Sequence, residues 1–150
     1  MTHLLSFSIS TTTVGDKPQT LVMPQIDGVP LIDLVAAFET ASGWSPAGGY
    51  GWLTPGFHCY GSVDEYFLGQ GRSVGWNSGK TPLLVCTCEE IGCWPLVAKI
   101  EVERDRVVWH AFEQPHRPEW NYAKFGPFHF DREAYEAVIR GFASQNNRQR

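Results

Sequence analysis

Charge is scarce in this sequence: Asp, Glu, Lys and Arg together make up 19% of 150 residues. Coiled coils, disordered charged tails and basic nucleic-acid arms need more charge or fewer aromatics, and are excluded. Cations are the scarcer sign, 12 Lys plus Arg against 16 Asp plus Glu, which leaves a net charge of -4. Such a chain lacks the basic footprint that engages phosphate backbones, so nucleic acid is not expected as a partner. Long apolar runs are missing too. The best, Val29 to Phe38, is broken by Pro30 and Asp33 and falls well short of the ~20 residues of a membrane helix. No Lys or Arg precedes Lys17, and Ser6 and Ser8 interrupt Leu4, Leu5 and Phe7, so no secretory leader is expected either. A cytoplasmic protein, without membrane contact, is the expectation.

Catalytic signatures are equally sparse. There is no G-x-S-x-G elbow, no H-E-x-x-H helix and no pair of carboxylates at glycosidase-like spacing. Gly75 to Thr81 reads G-x-x-x-G-K-T, one residue short of a phosphate loop, and Pro82 stands where that loop needs a helix N-terminus. Gly69-x-Gly71 lacks both a preceding strand and the third glycine of a dinucleotide site. Nucleotide binding is not expected.

What is present suits one globular domain over 1–150, with a polar, frayed tail at 144–150. The hydrophobic fraction of 43% is enough for a core. His3 to Thr12 and Thr20 to Met23 read as strands, with turns at Gly15-Asp16 and Asp27-Gly28. Pro30 fits the first position of a helix whose stripe is Leu31, Leu34, Val35 and Phe38. The stretch Ser42 to Cys59 is rich in Gly, Pro and aromatics and reads as a long loop packed over the core. Ser62 and Glu65 have capping-box spacing ahead of a short helix, Val63 to Leu68. Leu83 to Cys88 and Trp94 to Glu103 are strands, the latter with Leu96, Ala98, Ile100 and Val102 on one face. Arg106 to Phe112 pairs with it across Arg104-Asp105, setting Val102 against Val107, Ile100 against Trp109 and Ala98 against Ala111. Asp131 caps a last helix with the stripe Tyr135, Val138, Ile139 and Phe142. Strands in runs rather than in alternation with helices mean α+β, a mostly antiparallel sheet with two or three helices and the C-terminal helix packed on it.

One constellation has the residue types of a metal site. Cys86 and Cys88 lie two apart on a strand and share a face. A hairpin loop at Glu89-Glu90-Ile91-Gly92 would set Cys93 opposite Cys88. Extending the pairing of the following hairpin matches Phe112 with Val97, Gln114 with Pro95 and His116 with Cys93. Cys86, Cys88, Cys93 and His116 thus form a candidate Cys₃His zinc site, structural because all four ligands come from protein. His58 or Cys59 would be substitute ligands. Two alternatives stand beside zinc: buried free thiols, and a redox pair of Cys88 and Cys93. Glu89 and Glu90 raise rather than lower nearby thiol pKa values, which argues against a nucleophilic cysteine.

Other candidates have plainer readings. His110, opposite Lys99, is a half-buried histidine to which spacing assigns no carboxylate. Pro115-His116-Arg117-Pro118 is a rigid turn leading to Trp120. Asp64 and Glu65 are accounted for by capping and the helix dipole. A ligand groove between the two Gly-rich loops is an alternative use of the 6 Trp.

The stretch Cys86-Thr-Cys88-Glu-Glu-Ile-Gly-Cys93-Trp94-Pro95-Leu96, with Trp109, Phe112, Gln114-Pro115-His116-Arg117 and Phe125-Gly-Pro-Phe128, resembles a family of small bacterial proteins to which no activity is attached. The resemblance spans the C-terminal sheet and implies a bacterial cytosolic origin, with nothing about catalysis. The expected function is therefore a non-enzymatic binding or accessory protein, for example of immunity type, whose acidic surface covers a basic protein partner. A small enzyme or ligand binder with an aromatic lid and His110 or His116 as acid/base group is the alternative. A zinc-stabilised structural module is the third reading.

Overall fold

A computed structural model of the chain describes residues 2–45, 47–53, 63–70, 79–86 and 95–148. The fold is α+β. Among the described residues eight strands form two antiparallel sheets, and the C-terminal helix packs on them.

The first sheet is three-stranded, β1 (Leu5–Val14), β2 (Lys17–Ile26) and β3 (Val29–Pro30), in that order. Its two turns follow from local chemistry. Gly15 has φ 64 while Asp16 stays at negative φ, the pattern of a type II′ turn whose first central residue must be glycine. Asp27 and Gly28 have φ 54 and 79, both positive as a type I′ turn requires. Pro30 differs from the expected first helical residue. Its ψ of 137 keeps it extended, it pairs with Gln25, and the helix α1 (Leu31–Ala41) begins after it. At the edge of a sheet the absent proline N–H costs nothing.

Helix α1 buries Leu31, Val35 and Glu39. It ends in a Schellman motif: Gly43, at φ 77, donates to the Thr40 carbonyl, and Trp44 N donates to the Glu39 carbonyl at 3.0 Å. The hydrophobic contact that accompanies such an end is Trp44 against Phe38, ring centroids 5.8 Å apart.

The second sheet is a five-stranded half-barrel in sequence order, β4 (Tyr50–Gly51), β5 (Thr81–Cys86), β6 (Leu96–Val102), β7 (Arg106–Glu113) and β8 (Phe128–Asp131). The pairings Val102 with Val107, Ile100 with Trp109 and Lys99 with His110 are those expected. Beyond Lys99 the register shifts, and Val97 pairs with Glu113 rather than Phe112. The extra residue falls on β7, where Ala111 has φ 54, which makes a β-bulge. Its effect is to reverse the alternation, so that Val107, Trp109, Phe112 and Gln114 are all buried while Glu113 meets Lys80 at 2.9 Å. The expected pairings of Ala98 with Ala111 and Phe112 with Val97 fail for this reason.

Helix α2 (Val63–Phe67) is short, and helix α3 (Arg132–Arg148) contacts β1, β7 and β8. A hydrogen-bonded chain fixes them: Trp109 Nε1 donates to the Tyr135 hydroxyl at 3.0 Å, which donates to the Phe67 carbonyl. Tyr135, Ile139 and Phe142 are buried, as the stripe predicts. Among the described residues no helix is long and apolar enough to cross a membrane.

Asp131 Oδ2 accepts from Ala134 N at 3.0 Å, the cap expected at the start of α3. Asp131→Ala is expected to lower stability by about 1 kcal/mol, and Asp131→Asn by much less. Urea unfolding followed by circular dichroism reads both.

Candidate functional site

The Schellman end of α1 positions a carboxylate in the core. Glu39 is fully buried, one turn beyond Val35 on the apolar face. Its Oε1 accepts from Gly48 N at 2.7 Å, and its Oε2 accepts from the hydroxyls of Tyr50 at 2.7 Å and Tyr122 at 2.5 Å. Three charge-assisted bonds to one carboxylate are the condition under which its burial is tolerable. The geometry leaves no slack at Gly48: φ is 68, and a Cβ there would lie 2.7 Å from that of Ala36. Burial, together with the adjacent carboxylate, pushes the hydroxyls of Tyr50 and Tyr122 well above the ordinary tyrosine range. Tyr122 stacks on Phe38, and Trp44 stacks on Trp120 with centroids 5.1 Å apart at 12°. The Arg117 guanidinium lies 5.7 Å from the Trp120 ring centre. The aromatic loop does pack over the core where it is described: Tyr50 is buried, and Trp44 and Trp52 are partly so.

Two open clefts flank Tyr122 and Ala123. The first, of about 450 Å³, lies on the outer face of β6, β7 and β8, with Glu101, Glu103, Arg106, His110 and His129 in its lining. Glu101 Oε1 stands 3.1 Å from Lys99 Nζ and 3.2 Å from His110 Nε2. Lys99 first, then His110, holds the Glu101 carboxyl below the usual range. Glu103 and Arg106 pair at 2.7 Å. Among the described residues, His110 Nε2 and His129 Nδ1 are buried atoms without an aligned hydrogen bond. The second cleft, also about 450 Å³, is lined in part by Lys80, Glu113, Gln114, Arg117 and Trp120. Gln114 is buried; its Oε1 accepts from His116 N at 3.0 Å, and its Nε2 has no hydrogen bond among the described residues.

His110 is half-buried and opposite Lys99, as expected, but a carboxylate does stand beside it. Glu101 is the diagonal neighbour, two residues along β6 from Lys99, and that relation is readable from the hairpin register. Glu39 was missed although the spacing 31, 35, 39 puts it on the helix's buried stripe. His116 is exposed and follows the end of β7. The bulge at Ala111 removes the register that set His116 against Cys93. The thiols of Cys59, Cys86, Cys88 and Cys93, with His58, lie outside the described residues, as does the expected box at Ser62. Residues 54–59 of the first Gly-rich loop and 71–78 of the second fall there too. Among the described residues no group of three or more His, Cys, Asp or Glu is arranged to hold a metal. The chain matches no protein-family model, no curated protein and no solved structure.

Glu39→Ala leaves the Gly48 N–H and the Tyr50 and Tyr122 hydroxyls without their acceptor and is expected to cost about 3 kcal/mol or more, whereas Tyr122→Phe, which removes one charged hydrogen bond, costs about 2 kcal/mol. Thermal melts of both variants check the order. The tyrosines give a pH test. With folded pKa values raised above the unfolded value, the native state holds more protons than the unfolded chain once pH exceeds ~10. Stability is thus full below that pH and falls as pH rises beyond it. Tyrosinate absorbance of the native chain should lag for Tyr50, Tyr122 and Tyr135 and should appear only with alkaline unfolding.

Proposed function

We propose that this chain is a small cytosolic bacterial accessory protein of immunity type, acting by protein–protein contact through the outer face of β6, β7 and β8. The observation that carries this reading is the distribution of charge. Glu39, the one fully buried carboxylate among the described residues, has its oxygens occupied by Gly48, Tyr50 and Tyr122. Three acids on or beside the outer face sit on an open surface and are paired in place: Glu101 with Lys99, Glu103 with Arg106 and Glu136 with Arg132. A rigid, charge-patterned face of this kind specifies a partner and steers its approach. The net charge of -4 favours a basic partner.

The second reading, a ligand-binding protein or small enzyme, is favoured by one observation. Glu101, His110 and His129 converge on the same cleft, and a carboxylate–imidazole pair is the usual makeup of an acid–base site.

Capture from bacterial cytosol on the immobilised full chain, followed by titration of the purified partner, tests the first reading. Glu101→Lys with Glu103→Lys should weaken that complex about tenfold or more, with a strong salt dependence in the wild type. Equal binding by wild type and variant, insensitive to salt, contradicts it. A small-molecule ligand that shifts the His110 and His129 imidazole resonances, and whose binding His110→Ala abolishes, would establish the second reading instead.

A further inference from the structure

The three-stranded sheet ends on β1, and the direction of its backbone groups is fixed by contacts at its foot. Leu4 accepts from Asp27 N on the β2 side at 2.8 Å, whereas His3 N donates the other way, to the His129 carbonyl, at 2.7 Å. Backbone groups alternate along an antiparallel strand. The two-residue turn at Gly15-Asp16 gives the same phase, since Val14 closes the ladder with Lys17. Odd-numbered residues Phe7, Ile9, Thr11 and Thr13 therefore direct N–H and C=O away from β2. Among the described residues nothing pairs with that edge beyond the bridge of His3 to Phe130.

Proteins normally blunt such edges with a charge, a proline or a bulge. β1 has none of these: it reads LSFSISTTTV, and its ten pairs with β2 run without a register shift. The large apolar side chains exposed among the described residues, Leu4, Ile9 and Val29, all belong to this sheet or adjoin it. We infer that β1 pairs with β1 of a second copy of this chain, antiparallel about a two-fold axis through Ser10. An uncharged edge is self-complementary: two copies that each carry -4 meet here without placing one carboxylate against another. The bridge of His3 to Phe130 closes the foot of the edge, so the shared ladder runs over Phe7 to Thr13. Ile9 then faces Thr11 of the second copy, and Phe7 faces its Thr13. Their outward groups form about eight backbone hydrogen bonds and join two three-stranded sheets into one of six.

Sedimentation of the full chain between about 1 and 500 μM tests this. The expected species at the upper end has twice the 16.8 kDa monomer mass. Thr11→Pro removes an N–H that the hairpin does not use, and Thr11→Lys places like charges across the axis. Both variants should remain folded by circular dichroism and sediment as monomers. Ser10→Cys should give a new disulfide-linked dimer on a non-reducing gel, because facing residues of a non-hydrogen-bonded pair lie about 4.5 Å apart at Cα. A wild-type monomer across the whole range overturns the inference and leaves the edge to a strand of another protein. A dimer that survives both Thr11 substitutions, without the Ser10→Cys crosslink, overturns it in favour of another face.

Discussion

The structure depends first on one carboxylate that the chain has placed where water cannot reach it. Glu39 joins the C-terminal end of α1, the Gly48 turn, β4 through Tyr50 and the segment after β7 through Tyr122. The Gly48 turn and Tyr50 follow Glu39 by 9 and 11 residues, whereas Tyr122 is 83 positions away, and apolar packing alone would let these pieces slide. Hydrogen bonds to a buried acceptor are directional, and each missing one costs far more than a made one gains. Only one arrangement of the pieces supplies all three donors. The aromatic cover of Phe38, Trp44 and Trp120 closes over that arrangement and excludes competing water.

A second constraint, the bulge at Ala111, decides which side chains the chain shows to solvent. Without the additional residue, Glu113 would point inward and Phe112 and Gln114 outward. With it, Phe112 packs edge-on against Phe125 and Phe128, and Glu113 reaches Lys80. A non-glycine residue at positive φ is held there only because its surroundings fix it. His110 immediately precedes it, so the outer face inherits its geometry from a demand made by the core. The same division runs through the proposed function, with chemistry on the outer face and the buried network supporting it from behind.

Much of the fold was legible because its signals are local. Gly15 and Asp27-Gly28 name their turn types, Asp131 names its cap, and the stripes of α1 and α3 name their buried faces. The bulge was not legible, since alanine carries no local preference for φ 54 and the cause lies in competition between Phe112, Glu113 and Gln114 for the interior. Strand β8 was missed because it is four residues long and stands beside Pro127, with its pairing to β7 entirely non-local. At the site, Glu39 and Glu101 were within reach of the periodicities already in use, 3.6 for the helix and 2 for the strand. Tyr122 was not, since nothing in sequence relates it to a residue 83 positions away.

Native-state hydrogen exchange of the Gly48 amide tests the central role of the carboxylate most directly. Gly48 lies in a turn outside any strand or helix, where an amide facing water exchanges rapidly. The account predicts protection comparable to that of the β6 amides, lost in Glu39→Ala, which leaves the amide no side-chain acceptor. Rapid exchange in the wild type, or protection that survives the substitution, would contradict it.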